Sequence, residues 1–370
     1  GGDDLLVDLA ILPEVRREDV GAPHPVVDEI LDDIRIGTER KEWAERMGKR
    51  DRRSYLFVGI TGGGKSHHLK LISTELHDWI EQQTGCRTSR LIMVDASQFW
   101  SPYFGETEQR IARWAAKLYN LGKQTLTDKA GNQFRSPLVI VLEECETLLR
   151  SRNDGTSNHL FDRPLGLLLQ KTESLEGALE VPIVWLATSN RADLADAAAL
   201  RRIGMRRVNF HTLNGAAVRA VLAKKIFASM PIAGDIGDLE SRRAVAIEQI
   251  AAYLLGDETP QELAVAVMDN SERHSINRRD LVTPAVLEEA VSWAIDRCLS
   301  KSARQDNLLG LDARDVIEFL HRHYGNLART LRVHNVAEYC PQWFDNEGPG
   351  VRRIEPSAHT QRRPAALLVA

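Results

Sequence analysis

The sequence predicts an α/β fold: a parallel five-stranded sheet sandwiched by helices, plus a smaller helical domain carrying a β-hairpin. Three observations predict it. Short continuous apolar runs alternate with longer amphipathic stretches through the first half of the chain. A glycine-rich turn joins the first of those runs to a helix. Beyond about residue 212 the runs stop, and apolar residues recur at helical spacing with one period-two interruption. Continuous apolar runs bounded by turns suit strands buried on both faces, the situation in a parallel sheet covered by helices.

Taken in order, Tyr55–Gly59 (YLFVG) reads as the first strand, and a helix runs from about Lys65 to Thr84. Leu91–Asp95 (LIMVD) is the next strand. A helix over Glu106–Leu121 follows, with Ile111, Trp114, Ala115 and Leu118 on one face. Leu138–Leu142 (LVIVL) and Ile183–Ala187 (IVWLA) are the third and fourth strands, and Arg207–Phe210 is a short fifth. In the second half, helices are expected over Ala216–Ser229, Leu239–Leu255, Pro284–Ser300 and Ala313–Gly325. Thr283 before Pro284 suits an N-cap followed by proline at the first helical position. ELAVAVMDNSERHSINRRDLV alternates at period two around a DNSE turn and reads as the hairpin. The stretch after Asn346, rich in Pro, Gly and Arg, reads as extended or frayed.

The chain has 370 residues, 43% hydrophobic and 27% charged, with a formal charge of −4. Such a length accommodates two domains with ample core. The expected division is an N-terminal segment 1–35, a large α/β domain 36–212, a helical domain 213–340 and an extended tail 341–370. A near-neutral charge gives no electrostatic case for a nucleic-acid partner. The apolar runs are too short to span a bilayer, and no basic, apolar leader opens the chain. Cys86, Cys145, Cys298 and Cys340 lie far apart with no CxxC pair, so neither a zinc site nor a disulfide framework is expected. The expected setting is the cytoplasm.

Gly59–Ser66 (GITGGGKS) matches G-x-x-x-x-G-K-[ST] at every fixed position and sits between a predicted strand and helix. Polyphosphate demands this arrangement. Thr61, Gly62, Gly63 and Gly64 let backbone N–H groups converge on the phosphates, Lys65 reaches the outer oxygens, and Ser66 offers a hydroxyl to Mg²⁺. The fold expected is therefore a P-loop NTPase with ATP and Mg²⁺ as cofactors. Leu138–Leu142 ends directly in Glu143-Glu144. A carboxylate pair there puts Glu143 on the metal and Glu144 on the attacking water. Ile183–Ala187 runs into Thr188-Ser189-Asn190, whose amide is placed to contact the terminal phosphate. His67 and His68, in the first turn of the following helix, are expected to pack or hydrogen-bond locally.

Together these motifs resemble the AAA family of ATPases over about Pro13–Arg353. LEECETLL is similar to its Walker B segment, and ATSNRADL to the sensor-1 segment with Asn190. DVGA at Asp19–Ala22 resembles the segment that packs on adenine, which implies nucleotide contacts from Asp19, Val20 and Gly21, with His67 added from the loop helix. SPYFGETEQRIARW resembles the pore loop, with Tyr103 and Phe104 at its aromatic positions. ALRRIGMRRVNF resembles the arginine-finger region in the paired form of katanin and spastin. Arg201 and Arg202 match the fingers, and Arg206 and Arg207 are the alternative pair. The second domain looks most like the actinobacterial proteasomal ATPases of the ARC/Mpa type, through the hairpin, TPAVLEEAVSWAI and PQWFDNEGPGVRRI. Ile60-Thr61 stand where that group has two prolines, and Glu143 replaces the usual Asp.

The resemblance implies a hexameric homo-oligomeric ring that hydrolyses ATP at subunit interfaces and acts on a protein client or adaptor. Glu144, Lys65, Asn190, Arg201 and Arg202 would serve catalysis, and Tyr103 and Phe104 would grip polypeptide. The alternative is a slowly hydrolysing, ATP-dependent assembly switch that regulates a partner protein.

Overall fold

Each of the five apolar runs predicted from the first half contributes a strand to one sheet. The computed structural model describes residues 8–9, 12–21, 23–48, 54–88, 90–94, 99, 105–145, 162–190, 205–210, 212–340, 343, 350–357 and 367. The strands are β1 (Asp8–Leu9), β2 (Ser54–Gly59), β3 (Leu91–Met93), β4 (Leu126–Thr127), β5 (Gln133–Phe134), β6 (Leu138–Leu142), β7 (Ile183–Ser189) and β8 (Arg206–Phe210). The main sheet runs β1-β3-β6-β7-β2-β8. Its last five strands pair in parallel, and the two-residue β1 adds an antiparallel edge. The small β4–β5 hairpin is separate.

Helices cover both faces, and side-chain alternation decides which residues meet which helix. Tyr55 and Phe57 of β2, Val139 and Val141 of β6, and Val184 and Leu186 of β7 share a core with α1 (Val26–Glu39) and α3 (Lys65–Thr84). On the opposite face Trp185 meets Trp114 of α4 (Glu106–Gly122) at 5.9 Å between ring centroids. The Trp185 indole N–H donates to Thr172 of α5 (Asp162–Leu179) at 2.9 Å. Phe99, 1% exposed, packs edge-on against Trp114. Each large side chain so buried contributes about 1.5–3 kcal/mol relative to exposure.

The chain divides into two compact units, residues 1–59 with 65–210, and residues 60–64 with 211–370. α1 crosses the expected boundary at 35/36 as one helix, burying Val26, Val27, Ile30, Leu31 and Ile34 in the first unit's core. A short α2 (Lys41–Arg46) follows it.

In the second unit α6 (Gly215–Lys225), α7 (Leu239–Leu255), α8 (Pro284–Gln305) and α9 (Ala313–Thr330) surround a core including Leu222, Ile250, Leu287 and Leu320. Side-chain oxygens start all four: Asn214, Asp238, Thr283 and Asp312 each accept a backbone N–H of the first turn. α6 stops four residues short of the expected end. Arg243 donates to the Ile226 and Ala223 carbonyls there, satisfying acceptors that end the helix. The predicted hairpin is β9 (Glu262–Met268) with β10 (Arg273–Asn277). Where the sequence suggests an extended or frayed tail, part of it is extended: β11 (Val351–Pro356) pairs antiparallel with β9, giving the order β10-β9-β11. Among the described residues no helix is long and apolar enough to cross a membrane.

Candidate functional site

Parallel register brings several strand ends of the first unit to one edge. Val58 pairs with Ser189 and Leu142 with Ala187, so the end of β2, Glu143 after β6 and Asn190 after β7 lie together. Ligands of open α/β sheets bind outside this carboxyl edge. β6 is buried throughout, and the acids follow it directly and are exposed.

Ser66 and Glu143, 77 positions apart in sequence, meet here: the Ser66 hydroxyl donates to Glu143 Oε1 at 2.9 Å. The extra methylene of Glu143 therefore does not stop its carboxylate from reaching the loop helix. A hydroxyl and a carboxylate so placed are hard oxygen ligands. They fit Mg²⁺, which binds through one or two protein oxygens and completes its shell with water and phosphate. Among the described residues no cluster of three or more His, Cys, Asp or Glu could hold a metal by itself.

Lys65 is 6% exposed, and its Nζ donates to the Gly59 carbonyl at 2.8 Å. The loop residues Ile60–Gly64 group with the second unit. Gly62 and Gly64 have φ of 76° and 92°, the left-handed region where a Cβ is penalised. Gly63 N–H closes a turn on the Ile60 carbonyl at 3.0 Å. Within this unit Ile60 joins the helical core, and the Ala285 N–H of α8 approaches the Gly62 carbonyl at 3.4 Å.

Glu144 leaves the strand in an unusual conformation, with φ 52°. Its N–H donates to Thr188 Oγ1 at 3.1 Å, and the next N–H, of Cys145, donates to the Thr188 carbonyl at 2.8 Å. Thr188 is 4% exposed. Asn190, half-buried, follows two residues later.

The segment holding Asp19, Val20 and Gly21 is fastened to α3. Val15 N–H donates to Thr74 Oγ1 at 3.1 Å, and Arg17 bonds both Glu75 and Asp28 at 2.5 Å. Arg16 pairs with Asp78 and Glu14. The Arg17 hydrogen bond holds the Asp28 carboxyl below the usual range. At Asp78 burial pushes upward, but hydrogen bonds from Arg87 and Arg16 bring the carboxyl below its ordinary value. The Asp19 carboxylate accepts the Arg16 N–H at 2.8 Å, closing a local turn, while Val20 packs on the core and Gly21 is exposed.

His67 is exposed, whereas His68 is buried and packs, with partners distant in sequence. Its Nε2 accepts the His24 N–H at 3.0 Å, and both rings pack on Phe210, at 4.8 and 5.0 Å. A bond spanning 44 residues carries no signal in local sequence, and Thr188 was equally hidden inside an apolar strand. Tyr103, Phe104, Arg201 and Arg202 lie outside the described residues. Of the alternative arginines, Arg206 pairs with Glu29 at 2.5 Å and Arg207 donates to Asn209 at 2.8 Å.

Residues 55–211 match the ATPase family associated with various cellular activities (AAA). Two similar proteins are named AAA ATPase forming ring-shaped complexes. The one from Corynebacterium urealyticum is 24% identical over 83% of this chain and 58% of its own length. The one from Micrococcus luteus is 27% identical over 76% of this chain and 47% of its own. A proteasome-associated ATPase of Acidimicrobium ferrooxidans is 24% identical over 83% of this chain and 54% of its own length. The chain thus spans about half the length of these curated relatives.

Proposed function

From the premise that the chain carries a domain of the AAA family, we propose that it hydrolyses ATP in a homo-oligomeric, hexameric ring and remodels or unfolds protein clients. One observation carries the reading: the hydroxyl following the loop lysine meets the first carboxylate after β6, with the second carboxylate next to it. A glycine-rich turn with an incidental Lys-Ser does not require that meeting.

In this reading the N–H groups of Thr61–Gly64 and the Lys65 ammonium bind the β- and γ-phosphates. Ser66 and Glu143 would hold Mg²⁺, which when bound would supply charge neutralisation for the phosphates. Glu144 accepts the proton of the attacking water, and the Asn190 amide orients that water against the γ-phosphate. Asp19, Val20, Gly21 and His67 line the base. Arg201 and Arg202 act on the nucleotide of the neighbouring copy, so turnover depends on assembly. Tyr103 and Phe104 grip extended polypeptide, since rigid aromatic surfaces hold a chain without reading its sequence. The names of the ring-forming relatives support the oligomer. In such a motor the expected 36–212 would carry hydrolysis and 213–340 would serve as lid, with 1–35 joined to the former through α1 and 341–370 to the latter through β11. A cytoplasmic setting agrees with four cysteines that no disulfide joins.

The test is ATP turnover as a function of protein concentration. Specific activity should rise as the ring assembles. Glu144→Gln should bind ATP without turning it over, Lys65→Ala should lose binding, and Arg201→Ala should bind yet stay inactive in the assembled state. An assembled wild type without turnover overturns the motor. If that form assembles on ATP, but not on ADP, and persists for hours, the assembly switch takes its place.

A further inference from the structure

We propose that Thr188 is a positioning residue for hydrolysis, acting by holding Glu144 in its left-handed conformation. The inference rests on the reading of Glu144 as the group that activates water. Its geometric basis lies wholly in the first unit. The pairing of Leu142 with Ala187 puts Thr188 beside the acids that follow β6. There it accepts two successive backbone N–H groups, Glu144 on its hydroxyl at 3.1 Å and Cys145 on its carbonyl at 2.8 Å.

An L-residue enters the left-handed region at a cost, because its Cβ crowds the following carbonyl oxygen. Such a conformation persists where the surroundings over-determine it, and it concentrates at working sites. Both fastening points on Thr188 are fixed. The residue is 4% exposed on a strand buried along its whole length, and Cys145 beyond the turn is 0% exposed. Its β-branched side chain restricts χ1, which keeps the hydroxyl pointed at the neighbouring strand tip. The carbonyl bond survives any side-chain change, but the hydroxyl bond does not. Without the hydroxyl, the Glu144 N–H loses its acceptor and the turn can relax toward an ordinary conformation. The carboxylate then leaves the line of the attacking water, while the Lys65, Ser66 and glycine contacts are untouched.

This separates chemistry from binding. Thr188→Val keeps the branched shape and removes the acceptor, and Thr188→Ser restores it. Steady-state ATP turnover, ATP affinity and thermal midpoint are measured on the assembled full chain. Thr188→Val should lower kcat about 10- to 100-fold, the scale of a small misplacement of a catalytic group. KM and ATP affinity should stay within about 2-fold, and Thr188→Ser should recover most of kcat, since only the hydroxyl hydrogen bond is at stake. If Thr188→Val does not fold, Thr188→Ala serves, with the same split expected. Wild-type kcat in the valine variant overturns the inference, as does a parallel loss of kcat and affinity that serine fails to rescue. Glu144→Gln is the separate control. Normal turnover there removes the role of Glu144 and this inference with it. An inactive Glu144→Gln beside a fully active Thr188→Val leaves Glu144 standing and removes Thr188 alone.

Discussion

The two units use strained backbone in different places. In the second unit the described non-glycine residues with positive φ are Ser271 (69°), in the β9–β10 turn, and Asp306 (50°), at the end of α8. Both are positions where chain reversal or helix termination asks for that conformation. In the first unit Glu180 (57°) likewise follows a helix, α5, but Glu144 (52°) follows a buried strand and is a candidate catalytic group. The conformation closes a hairpin or a helix at Ser271, Asp306 and Glu180, whereas at Glu144 it sets the backbone of the proposed general base. What distinguishes Glu144 is the neighbour that holds it, a threonine from another strand rather than its own helix or hairpin.

The strongest way to break this comparison is to relax both kinds of site with glycine. Glu144→Gly should cut turnover by about 10²- to 10⁴-fold, the usual range for a lost general base. Its thermal midpoint should not fall, because glycine takes positive φ freely. A variant that keeps turnover would place Glu144 with the structural turns. Next in size is the core of the second unit. Leu287 is 0% exposed, so Leu287→Ala should cost about 2–5 kcal/mol in denaturant unfolding. A loss below about 1 kcal/mol would mean that the site collapses around the smaller side chain.

Acid should act on both units alike, which sharpens the contrast with their different strain. Burial pushes His77 in the first unit and His323 in the second below the ordinary imidazole value. At His77, Nε2 is buried without a hydrogen-bond partner, so protonation there is disfavoured. Because the folded values are depressed, this stability is complete above the unfolded pKa of about 6.5 and is lost as pH falls through the folded values. Thermal midpoints should therefore drop between about pH 7 and 5, and His77→Gln should flatten part of that slope. A midpoint independent of pH across this window would contradict the burial argument. The carboxylates of Asp28, Asp78, Asp238 and Asp312, all held below their usual range, add a second loss below about pH 4.

The smallest expected effect is the counterpart of the first. Asp306→Gly should raise stability by about 0.5–1 kcal/mol, as glycine at a left-handed helix end does, with turnover unchanged. Calorimetry with a parallel turnover assay reads both. A fall in turnover would move Asp306 out of the structural class.

Much of the fold could be read from composition along the chain. Buried strands such as LVIVL announce themselves by continuous apolarity, and α3, α7 and the β9–β10 hairpin appear where periodicity places them. The loop motif singled out Lys65 and Ser66 as candidates because phosphate binding needs small residues at fixed spacing. Other parts were not legible: α1, α2, α5, β1 and the β4–β5 hairpin went unassigned, and three long-range features stayed hidden. β11 has no turn linking it to β9, so its pairing is a long-range event. His68 bonds His24 across 44 residues. Thr188 looked like one more β-former in a buried strand.

The sequence by itself determined most of the sheet strands, the helices of the second unit and the loop motif proposed for phosphate, because these depend on neighbours within a turn or two. Tertiary structure alone decided which of those residues meet. Strand register sets that: shifting β7 against β6 by one residue would turn Thr188 to the opposite face and leave the Glu144 N–H without its acceptor. Register is chosen by the whole buried face of the sheet, and no local pattern contains it.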